Sequence, residues 1–414
     1  MQDTLQFVRD NTRWLLGGFL LTFFSSFGQT FFISLSGAEI RGEYGLSHGE
    51  FGGLYMLATL ASAATLPSLG RVVDIISVAR TIALIVPMLV LATASMALAH
   101  SIWGLLLSLY MLRLFGQGMM SHTAMTAMGR WYSAHRGRAV SLVALGHQCG
   151  EAILPILAIS LFASFGWRIS WLLAGAALLL LALPLIYLLM RVERTPQQSD
   201  KAVDLSLEPR RHWRREDVLR DGLFWRLTLA VLAPSFISTA IFFHQDYLLT
   251  LRGWPAESFA QAFVLLAGIT VCSALIAGQL IDKFSGVSLL PYFLLPLAMG
   301  CLTIGVVEAE FGIYLFMGLM GVSYGMSSVL YGAIWPELYG TQHLGSIRAV
   351  ITAMMVFSSA LGPGVTGWLI DLGVDYGHQM LVLGTYCVCV SAMMYSVIKQ
   401  RQIKLPTAQA PAVR

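Results

Sequence analysis

Charge is what this chain has least of: 12% of its 414 residues are Asp, Glu, Lys or Arg, about half the share of a soluble domain. Hydrophobic residues make up 57%, which leaves too little polar surface to cover a water-soluble particle of this length. That excludes a soluble enzyme and a disordered chain. Cysteine is scarce too. Cys149, Cys272, Cys301, Cys387 and Cys389 lie inside apolar runs, without the spacings of disulfide frameworks or metal sites. They read as small buried hydrophobes, and no metal or cofactor is expected. The net charge of +4 is too small to argue for nucleic acid. No Walker lysine motif supports ATP-driven pumping by this chain alone. No Ser–His or Cys–His spacing supports an intramembrane hydrolase. Met1–Thr12 is polar and the next apolar run is too long for a signal-peptide core, so no cleavable signal is expected.

Long apolar runs are what the chain does have. About 20 apolar residues cross a bilayer, and windows of about 19 residues place spans near 13–36, 49–70, 80–100, 102–126, 137–163, 168–190, 225–250, 257–281, 286–307, 311–335, 346–370 and 376–398. The expected fold is all-α and membrane-integral, with a six-helix bundle over 1–190, a linker over 191–224, a second bundle over 225–398 and a tail over 399–414. With both termini on one side, 22 of the 26 Lys and Arg fall on that side, three on the other, and Arg113 inside a span. Positive residues are retained in the cytoplasm, so the termini and the linker are expected there, in a multi-pass protein of the cytoplasmic membrane. The linker cluster Arg210–Arg215 is interspersed with Glu208, Glu216, Asp217 and Asp221, and reads as a solvated juxtamembrane segment rather than a lipid-binding patch.

The halves repeat one another. Gly70-Arg-Val-Val-Asp74 after the second span recurs as Gly278-Gln-Leu-Ile-Asp282-Lys283 after the eighth, and Gly45-Leu46 recurs as Gly253-Trp254 at the same offset. Trp131 with Arg138-Ala139-Val140 is echoed by Trp335 with Arg348-Ala349-Val350. A duplicated six-helix unit is a transporter architecture whose substrate path runs near the midplane. With these copies and Arg113-Leu-Phe-Gly-Gln117-Gly118 on the fourth span, the chain resembles the major facilitator superfamily over essentially its whole length. It departs from the family's second-loop motif at Ile75, Ser77 and Ala79. Trp131-Tyr132, Arg136–Ala139 and Pro336-Glu337-x-Tyr339-Gly340 with Gly345 are similar to loops of the oxalate–formate and monocarboxylate branches. The Gly-Pro pair common in the fifth span of drug/proton antiporters is missing: Gly146-x-x-x-Gly150 is followed by Pro155, and Gly362-Pro363-Gly364 sits in the eleventh.

Ionisable residues in spans are costly and face the bundle interior or a wet path. On the fourth span Tyr110, Arg113, Gln117 and Ser121 fall near one stripe, and on the fifth His147 and Glu151 are four apart and share a face. At 1.5 Å per residue, Arg113 lies about 14 Å and His147 about 15 Å from the cytoplasmic edge. An Arg113–Glu151 pair completed by His147 and Gln117 is therefore expected. It serves either as an anion anchor, since guanidinium matches carboxylate bidentately, with Glu151 or His147 exchanging a proton, or as a permanent strut. His244, Gln245 and Asp246 on the seventh span match the depth of Ser25, Ser26, Gly28, Gln29 and Thr30 on the first. They are candidates for substrate binding, proton relay or gating. Tyr324 and Tyr331 are candidates for the wall of the second bundle. Trp103, Trp167, Trp171, Trp254 and Trp368 sit near span ends, as interfacial anchors do.

The resemblance implies that Asp74, Arg130 and Asp282 hold a cytoplasmic gate. It also implies a monomer that works by alternating access, and not an enzyme. The expected activity is proton-coupled transport of a small organic anion. Proton-driven efflux of a drug or hydrophobic metabolite is the alternative, and a non-transporting receptor or intramembrane enzyme is the alternative of another class.

Overall fold

In the bilayer core every backbone polar group must be satisfied within the protein, and the chain meets this with helices alone. The computed structural model describes residues 2–132, 136–194, 213–340 and 344–404, and no strand occurs among them. The turn-rich stretch from Thr195, Arg210–His212 and the end of the tail lie outside the described residues.

Eight helices are long and apolar enough to cross a membrane, and nine if the bent pair Gln6–Gly28 and Thr30–Tyr44 is one span. The 53-residue run Arg138–Met190 holds the fifth and sixth spans. They meet at Gly166, whose φ of 76° lies where only glycine is comfortable. The second span, His48–Leu69, is rich in Gly, Ala, Ser and Thr. The ninth is interrupted into Gly286–Leu289 and Leu295–Val306. All twelve expected positions are thus helical.

Two glycines make the repeat visible in backbone geometry. Gly45 and Gly253 have φ of 64° and 65°, and the next residue in each case reaches back five positions. Leu46 N bonds Arg41 O at 3.0 Å and Trp254 N bonds Leu249 O at 2.9 Å, the same left-handed helix stop in both halves. Ser47 then starts the second span with a capping box to Glu50.

By its contacts the chain divides into two compact units. One comprises Met1–Glu208, Ser238–Ala267 and Val356–Val374, and the other Pro209–Ile237, Gly268–Met355 and Asp375–Arg414. In the first, the carbonyls ending the sixth span are taken up by the first span. Arg13 Nε and Nη2 donate to Leu189 O and Leu188 O at 2.7 and 2.8 Å, and Trp14 Nε1 donates to Val192 O at 2.9 Å. In the second unit Pro234 interrupts the ladder of the seventh span. The hydroxyls of Tyr331 and Tyr386 donate to Val231 O and Leu229 O nearby, at 3.1 and 2.9 Å.

Small residues bring the first span against the fourth and fifth. A Cβ on Gly28 would stand 2.2 Å from Leu112 O, and one on Gly146 2.1 Å from Phe19 O. Both obstacles are backbone, which cannot rotate away. Gly28→Ala is therefore expected to destabilise the protein by about 1–3 kcal/mol, the range for overpacked cores, read as a lower melting temperature in detergent. An unchanged melting temperature would mean that the two spans are not held this closely.

Candidate functional site

The first span breaks between Gly28 and Thr30, where Gln29 is extended (φ −86°, ψ 154°). In an unbroken helix Phe32 N would serve Gly28 O, but here it bonds Gln29 O at 3.2 Å. Arg113 takes the freed acceptor: its Nη1 donates to Gly28 O at 3.1 Å and lies 3.5 Å from Thr30 Oγ1. The guanidinium stands 5.2 Å from the Tyr55 ring centroid, and Tyr55 Oη shares a 2.7 Å hydrogen bond with Thr30 Oγ1. Arg113 is 2% exposed.

The expected Arg113–Glu151 pair does not form. Among the described residues Arg113 has no carboxylate partner, and its Nε, buried, has no partner at all. Two local features explain the difference. The break in the first span offers a carbonyl at the right depth, and Leu112–Met120 is wound as a π-helix, whose wider turns move Gln117 off the α-helical stripe. Gln117 is half-buried on the turn that packs against Gly28. Tyr110, about 60° away from Arg113 by its three-residue step, bonds Thr65 Oγ1 at 3.1 Å and lines an apolar groove with Leu57, Trp103 and Leu107. Those three are more than half exposed, so Tyr110 faces the lipid side.

Glu151 and His147 reach the same break from the fifth span. Gly150 packs on Ser26, and the His147 ring lies 6.1 Å from that of Phe31. Glu151 is 5% exposed, with neither a cation nor a hydrogen-bond donor among the described residues. Ser26 Oγ, Arg113 Nε, His147 Nδ1 and Gln148 Oε1 are all buried without partners. Buried polar atoms are nearly always satisfied, and Ser26, Arg113 and His147, each packed close to residues 26–31, bring three of these unpartnered atoms to the break.

His244, Gln245 and Asp246 belong to a different structure. The seventh span breaks at His244 (φ −100°, ψ 27°). His244 Nε2 bonds Pro363 O at 2.9 Å, and Gln245 Nε2 donates to Ser34 Oγ at 2.8 Å. Asp246 pairs with Arg41, which also meets His48 Nε2 at 3.1 Å. Asp371, at the end of the eleventh span, accepts from Ser47 Oγ and Gly49 N at 2.6 and 2.8 Å. Glycine contacts run beneath these bonds: Cβ atoms on Gly52 and Gly367 would meet Pro363 O and His48 O at 2.5 and 2.4 Å. Together they fasten the first, second, seventh and eleventh spans at the ends distal to the N-terminus. Sequence reading singled out Asp246 but not Arg41, His48 or Asp371, which looked like ordinary loop-edge charges. For Arg41 and His48 the signal was position, since both flank the repeated Gly45; Asp371, at the end of the eleventh span, had none.

Tyr331 is committed to Val231 O, and Tyr324 is half-buried on the tenth span. Of the gate residues, Arg130 Nη2 donates to Val73 O at 2.9 Å, while the side chains of Asp74 and Asp282 lie outside the described residues. Trp171 is a buried packing residue that donates to Ser36 Oγ at 3.2 Å, not an interfacial anchor. The loop residues Tyr339 and Glu337 are structural: Tyr339 Oη donates to Asp221 Oδ2 at 2.9 Å, and Glu337 Oε2 accepts from Gly286 N at 3.0 Å. No group of side chains able to hold a metal occurs among the described residues.

The fold and site together define a multi-pass helical protein whose spans break at a polar site. The model of the Major Facilitator Superfamily matches residues 18–363, and the chain belongs to that family; its fold is the family's twelve spans in two pseudo-symmetric bundles. Among curated proteins, a riboflavin transporter of Saccharomyces cerevisiae is 23% identical over 325 residues, 71% of this chain and 60% of that one. The chain thus spans about three-fifths of that relative's length. Among solved structures, a bacterial homologue of the human lysosomal transporter Spinster, in an inward-facing and occupied conformation, shares 16% identity. It covers 95% of this chain and 98% of its own, with a TM-score of 0.72. A D-xylose–proton symporter shares 15%, covering 93% and 97%, also with a TM-score of 0.72.

The distal fastening makes a measurable expectation. A partly exposed ion pair is worth about 1 kcal/mol or less, so Asp246→Asn should raise the open population at this end by up to about fivefold. Maleimide labelling of Phe51→Cys, a position 1% exposed, in a background without native cysteines reads this directly. Equal labelling with and without Asp246→Asn would remove the pair from the latch.

Proposed function

We propose that this chain is a proton-coupled secondary transporter of a small organic anion. It works by alternating access between bundles 1–190 and 225–398, with linker 191–224, both termini in the cytoplasm, and the distal latch facing outward. It acts in the cytoplasmic membrane as a monomer. The observation that carries the reading is Arg113: a buried cation at the broken first span with no carboxylate to neutralise it among the described residues. A charge at that depth is retained for function more often than for packing. Its orphaned Nε gives the fork a free edge for a substrate carboxylate. Glu151 is the proton carrier, being a buried carboxyl group committed to no partner, on a helix that touches the same break. His147 and Gln148 supply the remaining polar contacts. Gln29 contributes through its extended backbone, and His244 and Asp246 act in gating rather than in binding.

Purified protein screened by thermal shift against carboxylates, amines and sugars should respond to carboxylates. Arg113→Ala should abolish that response, and Arg113→Lys, which keeps the charge but loses the fork, should weaken it. Carboxylate hits that survive undiminished in Arg113→Ala would end the anion-anchor reading. In proteoliposomes given an acid pulse outside, labelled anion and proton should enter together; opposite movement would make the chain an antiporter.

Glu151→Gln separates coupling from binding. Counterflow exchange should persist while accumulation driven by a proton gradient is lost. Accumulation at wild-type levels would transfer the proton to another group.

A further inference from the structure

The second compact unit carries a cleft that transport does not use. It lies between the end of the eighth span, the interrupted start of the ninth and the last turns of the twelfth. Phe284, Leu289, Pro291, Tyr292, Tyr395 and Ile398 wall it, with Ser288 and Lys399, and its volume is about 520 Å³. Phe284, Tyr292 and Tyr395 are 52%, 50% and 55% exposed, far more than packed aromatics. Lys399 is the lone charged residue in the lining. Lys283, exposed and next in sequence to the wall residue Phe284, is a second cation at this end of the eighth span, its Nζ 5.2 Å from that ring centroid. The Glu337 carboxylate of this region is already held by the Gly286 amide.

The chemistry of the walls and rim selects the occupant. Half-exposed aromatics at the ends of membrane spans lie where acyl chains give way to headgroups, so the cleft opens onto lipid. Apolar walls suit a hydrocarbon chain, and two tyrosine hydroxyls can donate to an ester or phosphate oxygen. Lysine at the rim adds a full positive charge, and the lining, among the described residues, offers no carboxylate to receive the cationic end of a zwitterionic headgroup. We infer that this cleft is a binding site for one anionic phospholipid, its headgroup on Lys399 and Lys283 and an acyl chain along Phe284, Tyr292 and Tyr395. Basic residues at a membrane surface attract anionic lipid in this way.

Native mass spectrometry of the full chain, released from mild detergent with phosphatidylglycerol or phosphatidylcholine of matched chains, tests it. The intact protein should retain phosphatidylglycerol preferentially. Each of Lys283→Gln and Lys399→Gln should reduce that preference about fivefold, while Lys→Arg at both positions should keep it. These variants, the double Gln variant included, change exposed side chains, and unaltered melting temperatures check that they fold. Equal retention of the two lipids, or a preference untouched in the double Gln variant, would overturn the site. Displacement of phosphatidylglycerol by millimolar inorganic phosphate would overturn the lipid assignment in favour of a free-anion site.

Discussion

A carbonyl released where a membrane helix breaks has no water to turn to, and at Gly28 its donor is an arginine. That bond organises the first bundle. The break lets Gln29 run extended, and the glycines on either side let the fourth and fifth spans close in on the first. Arg113 pays for its own burial only in part, because the carbonyl, the Thr30 hydroxyl and the Tyr55 ring offer dipoles and a π-face rather than a counter-charge. A carboxylate in that place would have neutralised the cation, and among the described residues none does.

The second break, at His244, is treated differently. No charge enters it. Gln245 crosses to the Ser34 hydroxyl, His244 takes Pro363 O, and the charged groups stay at the rim as Arg41 and Asp246. By the offset that pairs Gly45 with Gly253, His244 corresponds to Ser36, which has the same backbone turn (φ −96°, ψ 15°), so the break at Gly28 is a feature of the first span that His244 does not repeat. The contacts there are backbone-close glycines, buried bonds of His244 and Gln245 and partly exposed bonds of Arg41 and Asp371, so that the charged groups stay at the rim.

The spans were legible because length and apolarity are all a bilayer requires of a helix, and most ends fell within a few residues of expectation; the first, expected at 13–36, instead runs from Gln2 through its break to Tyr44. Gly45 and Gly253 were legible as repeat marks and proved to be helix stops. Arg113, His147 and Glu151 stood out because charge in a span is rare. What could not be read was who meets whom. Spacing arguments assume a regular α-helix, and Arg113 sits in a π-wound segment facing a broken one, so its partner is a backbone carbonyl that no side-chain pattern announces. Tyr110 and Tyr331 show the same limit: each has the right residue type at a plausible depth, and each bonds elsewhere, to Thr65 and Val231.

The π-wound turns of Leu112–Met120 amount to one residue more than an α-helix would need over that stretch. Removing a single residue there would restore a regular ladder, and because the wide turns already take up the extra residue, the helix after them, Arg130 included, would turn by less than the roughly 100° that a residue lost from a plain α-helix causes. The surplus residue is therefore stored where Arg113 meets the broken first span, and the regular helix that follows carries Arg130 to Val73 O.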